Sequence, residues 1–100
     1  MVNIVKNKLD ISTFVDARTE EAILKDLVIR VKARRKELKI SQKDLATQAG
    51  VSYGSIKRFE QTGEISFASL LRIARVLNAL DEFDGLFQRK QILNLKNYKV

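Results

Sequence analysis

The stretch from Ser41 to Glu60 limits the fold of this chain more than any other. Leu45, Ala46 and Ala49 recur at helical spacing, Gly50-Val51-Ser52 interrupts them, and Ile56 and Phe59 resume the spacing. That pattern predicts two short amphipathic helices with a glycine between them. Ser41 and Ser52 are placed as N-caps, and Asp44, three positions after Ser41, is placed to complete a capping box. Gly50 is expected to end the first helix in the left-handed conformation, which only glycine adopts cheaply, with Val51 filling the corner. The second helix turns Ile56 and Phe59 inward and leaves Tyr53, Gly54, Lys57 and Arg58 outside.

The remainder reads as helical too. There is no proline and there are only 4 glycines in 100 residues, so periodic segments meet few breakers and one all-α domain is expected. Thr19 caps a first helix whose Glu20 and Glu21 suit the positive end of its dipole. Ile23, Leu24, Leu27, Val28, Val31 and Leu38 form its expected inward stripe, and Lys36 and Lys39 suit its C-terminus. Ser66 caps a fourth helix, anchored by Phe67, with Leu70, Leu71, Ile73, Ala74 and Leu77 on its apolar face. A short fifth helix from about Asp81 is expected to bury Phe83, Leu86 and Phe87, either under the core or in a dimer seam. These elements make a domain over 19–88, between an N-terminal arm (1–18) and a basic C-terminal tail (89–100). Val2, Ile4, Leu9 and Ile11 hint at extended pieces in the arm, and Leu93 and Leu95 suit a strand or a flexible tail.

Missing residue types exclude several functions. Cysteine and histidine are both absent, which removes disulfides, the usual general base, catalytic triads and Cys/His zinc sites. No pair of carboxylates, lysines or hydroxyls forms a recognisable catalytic arrangement, so no enzyme, no metal and no cofactor is expected. No apolar run approaches the ~20 residues of a membrane span, and Met1–Lys6 is too short for a signal peptide. A cytoplasmic protein without a membrane partner is the expectation.

The charge points to a polyanion. The chain holds 19 basic and 12 acidic side chains, for a formal charge of +7. Arg30, Lys32, Arg34, Arg35, Lys36 and Lys39 crowd the segment before Ser41, and Lys57 and Arg58 lie within the two-helix stretch. Clustered Lys and Arg gain affinity for phosphate by releasing counterions.

Residues from about 24 to 80 resemble the Xre/Cro/lambdoid-repressor family of helix-turn-helix domains. The matching positions are Arg35, Ser41-Gln42, Leu45-Ala46, Gly50-Val51-Ser52, Ile56, Glu60, Leu70, Ile73, Ala74 and Leu77. More narrowly, Gly54 to Ser66 is similar to the HipB-like branch, antitoxins encoded beside HipA-type kinase toxins. The resemblance implies a five-helix lambda-repressor-like DNA-binding domain.

In that family the second helix of the motif enters the major groove, so the resemblance assigns base edges to Ser52, Tyr53, Gly54, Lys57 and Arg58. Arg58 suits bidentate recognition of guanine, worth ~1–3 kcal/mol of discrimination, or else a phosphate contact. Tyr53 suits a thymine methyl or, through its hydroxyl, a phosphate. Gly54 departs from the family habit of a side chain there; it removes one reader, costs the helix ~1 kcal/mol against alanine and allows close backbone approach. Gln42, Lys43, Ser55, Thr62 and part of Arg35 are the implied phosphate contacts. Arg35 and Glu60 match a pair that joins the first helix to the end of the third.

The implied function is sequence-specific repression by a homodimer on palindromic double-stranded DNA, with half-sites about one turn (~34 Å) apart and a HipA-like kinase as a further partner. A stand-alone Xre-type regulator, and a protein-interaction module that has lost DNA binding, are the alternatives.

Overall fold

The structure, a computed structural model, describes residues 18–91. The extended pieces expected before Arg18 and the strand or tail expected from Ile92 onward lie outside the described residues. Four α-helices follow in order: α1 (Glu20–Glu37), α2 (Gln42–Ala49), α3 (Tyr53–Thr62) and α4 (Phe67–Val76). A 3-10 helix, Leu80–Gly85, comes after them, and there is no strand among the described residues.

Each α-helix begins at the hydroxyl residue expected to cap it. The side-chain oxygens of Thr19, Ser41, Ser52 and Ser66 accept from the backbone N–H groups of Ala22, Asp44, Ser55 and Ser69. These bonds satisfy amides that the helix ladder cannot reach. At α2 the capping box is half made: the Asp44 amide bonds to Ser41, and the Asp44 carboxylate gives nothing back.

The helix ends are as regular as the starts. Gly50 (φ 69°) closes α2, and the next amide, of Val51, bonds back to the Ala46 carbonyl at 3.0 Å. Gly63 (φ 83°) closes α3 by one amide bond to the Phe59 carbonyl, 2.8 Å. α1 and α4 end in the same left-handed way without glycine: Lys39 and Asn78 both lie at φ 60°. Ile40 then bonds to Arg35 at 3.1 Å and Ala79 to Ala74 at 2.8 Å, the six-to-one bonds of a Schellman motif.

The core sits where α2 meets α3 and α4. Leu45, Ala46, Ala49, Val51, Ile56, Ile73 and Leu77 are buried together, with Val31, Ile40, Ile65 and Val76 packed around them. Phe59 is buried at the inner side of α3. α1 packs on α3, and the 3-10 helix packs on α4.

Two expectations are corrected. The stripe on α1 is covered only in part: Ile23, Leu24 and Leu38 are exposed, Leu27, Val28 and Val31 are half-buried, and Ile29 is exposed as well. α1 is 18 residues, about 27 Å, long against 8 and 10 residues for α2 and α3, so it outruns the helices that could cover it. The fifth element is a 3-10 turn that buries none of its residues fully. Phe83 is half-buried and stacks edge-to-face on Phe67, with ring centroids 5.9 Å apart. Leu86 and Phe87 follow the turn and are exposed, Phe87 completely and at φ 62°.

Candidate nucleic-acid interface

α3 has a buried side and a bare side. Ile56, Phe59 and Glu60 face the interior, and Tyr53, Gly54, Lys57 and Arg58 are exposed. The split follows from sequence spacing: positions 56, 59 and 60 share one face of a 3.6-residue period. Left exposed is a short strip with two cations, one ring and one open glycine.

At the tip, Ser52 and Ser55 bind each other. The Ser52 hydroxyl donates to Ser55 Oγ at 2.7 Å while accepting from the Ser55 amide at 3.0 Å. Both hydroxyls therefore serve the cap first, and either can meet DNA only through its remaining capacity. Tyr53 stands beside them under two ammonium groups: Lys57 Nζ lies 4.5 Å and Lys43 Nζ 5.6 Å from its ring centroid. Cation–π attraction of this kind draws Lys43, from α2, and Lys57 to one point at the start of α3. Lys43, assigned to phosphate from sequence, thus joins the α3 surface. A Cβ built on Gly54 meets nothing within 4 Å, so nothing inside the protein requires a glycine there.

Arg58 is exposed but not idle. Its Nε donates to Glu64 Oε1 at 2.8 Å, and its Nη2 reaches the same oxygen. Thr62 closes the arrangement: its hydroxyl donates to the Arg58 carbonyl at 2.7 Å and accepts from the Glu64 amide at 3.1 Å. The Thr62 hydroxyl, expected on phosphate, is instead engaged in fixing this corner. Glu64 escaped the sequence reading because the pair spans six residues across the end of α3, where no helical spacing rule applies.

Beneath the strip lies a buried ion pair. Arg35 Nε donates to Glu60 Oε2 at 2.7 Å and Nη2 to Oε1 at 3.0 Å, while Nη1 donates to the Ile40 carbonyl at 2.9 Å. Gln42 adds a bond from Nε2 to Glu60 Oε1 at 2.9 Å. Arg35 is 7% and Glu60 8% exposed, so this cluster ties α1, α2 and α3 together inside the molecule. Burial pushes the Glu60 carboxyl up, but the hydrogen bonds from Arg35 and Gln42 and the charges of Arg35 and Lys32 outweigh it, leaving its pKa below 4.5.

This geometry bears on two of the phosphate assignments. Arg35 has little to offer phosphate, because it is only 7% exposed and each of its three nitrogens already makes an internal hydrogen bond. One hydrogen of the Gln42 side-chain amide likewise goes to Glu60, which turns that group toward the interior, and the backbone N–H at the start of α2 is a further donor for phosphate. The basic cluster of α1 is thinner than its sequence suggests in another place too. Arg34 donates to the Leu77 carbonyl at 2.9 Å and lies near Glu37 and Glu82, so it joins α1 to the end of α4 and the 3-10 helix.

Among the described residues no group of three or more acidic side chains is placed to hold a metal, and no helix is long and apolar enough to cross a membrane. A family model described as Helix-turn-helix matches residues 31–83, more than half of the chain. Comparison with curated proteins gives no match, and comparison with solved structures gives none either. The matched span runs from the middle of α1 through the 3-10 helix and contains the whole α2–α3 unit with its Arg35–Glu60 lock. The chain belongs to the Xre and lambda-repressor-like helix-turn-helix family of DNA-binding transcriptional regulators.

Proposed function

We propose that this chain is a sequence-specific repressor that binds a palindromic operator as a homodimer, with α3 of each copy in the major groove. The observation that supports it most is the bare strip of α3, where Tyr53, Lys57 and Arg58, joined by Lys43 from α2, present cations and a ring beside an open glycine. Ser52, Tyr53, Gly54, Lys57 and Arg58 meet base edges in this reading; Lys43, Ser55 and the first amides of α2 meet phosphate. Exposed Leu86 and Phe87 supply apolar area for the seam between copies.

Within that reading the chain is the antitoxin of a toxin–antitoxin operon, with a HipA-like kinase as its toxin. Support comes from the likeness of Gly54 to Ser66 to the HipB-like branch. A stand-alone repressor has the same DNA surface and lacks the kinase. Binding of the purified chain to a duplex carrying its own promoter region tests the repressor reading, and co-purification with the product of the adjacent gene tests the antitoxin reading. A promoter duplex left unbound at moderate salt overturns the first; an adjacent gene that encodes no kinase-like protein overturns the second.

A further inference from the structure

Glu64 is an acidic residue at the rim of a surface meant for a polyanion. A free carboxylate there weakens binding by repelling phosphate, and an exposed ion pair adds little to folding stability. Its position is nevertheless fixed from three sides. Gly63, just before it, ends α3 in the left-handed conformation, and a Cβ on Gly63 stands 3.4 Å from Leu24 Cβ of α1. Its own amide is held by the Thr62 hydroxyl, and Ile65, just after it, packs against the core. A surface acid held this firmly acts on whatever it touches, and it touches Arg58.

The manner of contact matters. Glu64 takes the Nε and Nη2 of Arg58 on one oxygen, which occupies the side edge of the guanidinium. Nη1 has no partner among the described residues, and Nη2 keeps a second hydrogen. The end of the fork, Nη1 with Nη2, therefore stays available as a pair of parallel donors. Those are the donors that match O6 and N7 of guanine. A free arginine on a helix surface samples many rotamers; one held along its side edge has already lost them before DNA arrives.

We propose that Glu64 is a positioning residue for base recognition, holding the side edge of Arg58 so that its terminal edge meets guanine in the major groove. This rests on the reading of α3 as the groove helix. Thr62 belongs to the same device, since its hydroxyl joins the Arg58 carbonyl to the Glu64 amide. The consequence is an opposition of signs. Removing the carboxylate raises affinity for duplex of any sequence, because one negative charge leaves the interface, yet it blurs the base that Arg58 reads.

In-vitro selection from a randomised duplex pool tests this with the full-length wild type, Arg58→Ala, Glu64→Ala and Thr62→Val, each checked for an unchanged circular-dichroism melt. The wild type is expected to enrich a motif, and Arg58→Ala to lose a guanine at one position, a preference of about 5- to 150-fold. Glu64→Ala is expected to lose most of that same preference, falling to about threefold or less, with the other positions intact and random-duplex affinity equal or higher. Thr62→Val is expected to fall between it and the wild type. A Glu64→Ala motif identical to the wild type's, or one weakened evenly at every position, overturns the proposal. A wild type that enriches no motif, or an Arg58→Ala motif equal to the wild type's, instead overturns the groove reading on which it rests.

Discussion

Gly54 is the residue whose chemistry is least explained by the protein alone. Alanine fits its site without contact, and within a helix alanine is the better residue. Gly54→Ala is therefore expected to raise stability by about 0.5 kcal/mol in urea unfolding, because the position lies in the first turn and not in the helix interior. The same variant is expected to bind operator DNA several-fold more weakly, since in the proposed groove reading a methyl group then stands between the backbone and the duplex. A variant that is both more stable and equally tight removes Gly54 from the interface. Lys39 makes the reverse case. It holds a left-handed conformation at φ 60°, which costs a side-chain-bearing residue energy and glycine almost none. Lys39 is exposed, so Lys39→Gly loses no packing and is expected to gain about 0.5 kcal/mol, read from the urea midpoint at unchanged slope.

At the scale of elements, the joint between α1, α2 and α3 rests on two charges taken out of water. Breaking such a pair from one side leaves the other charge buried, which costs about 3–5 kcal/mol, whereas exchanging both for apolar residues costs far less. Glu60→Ala is accordingly expected to destabilise the domain by that amount, and Arg35→Met with Glu60→Leu by much less. Thermal melts of the three proteins decide it; equal losses contradict the account. The pH dependence follows from the lowered Glu60 pKa. A carboxyl whose folded-state pKa is depressed contributes stability above its unfolded value, and that contribution is lost as pH falls through the folded value. Stability is thus expected to drop below pH 4.5, the ordinary value, and the drop is expected to shrink in the apolar double variant.

Legibility in the sequence also divides by element. The serine and threonine caps and the ends at Gly50 and Gly63 could be read because their residue types have one dominant use. The ends at Lys39 and Asn78 adopt the same conformation without the glycine that announces it. The apolar spacing of α1 marked the face that turns toward its neighbours, but spacing says nothing about how far those neighbours extend. Arg58 could be placed on the bare side of α3, while its partner Glu64 could not be found, since the helix ends between them. Family resemblance supplied Arg35 and Glu60 as a pair, and only the geometry shows how deeply the pair is buried and that Arg35 also bonds to the Ile40 carbonyl.

For the whole molecule, a net charge of +7 overstates the cations offered to DNA. Arg34 and Arg35 serve α1's contacts with other elements, and Arg58 is paired with Glu64. Lys43 and Lys57 converge on Tyr53 at the start of α3, and the proposed binding surface is accordingly centred there and not on the basic run of α1. Titrating a promoter duplex at several salt concentrations with the wild type, Lys57→Ala and Lys32→Ala tests that placement directly. The wild type is expected to show a steep negative slope of log affinity against log salt, with each phosphate contact adding about 0.9 to its magnitude. Lys57→Ala is expected to weaken binding and flatten the slope, and Lys32→Ala, on α1, to leave both nearly unchanged. Loss of binding in Lys32→Ala with Lys57→Ala unaffected would contradict the claim that the bare face of α3 is the surface that meets DNA.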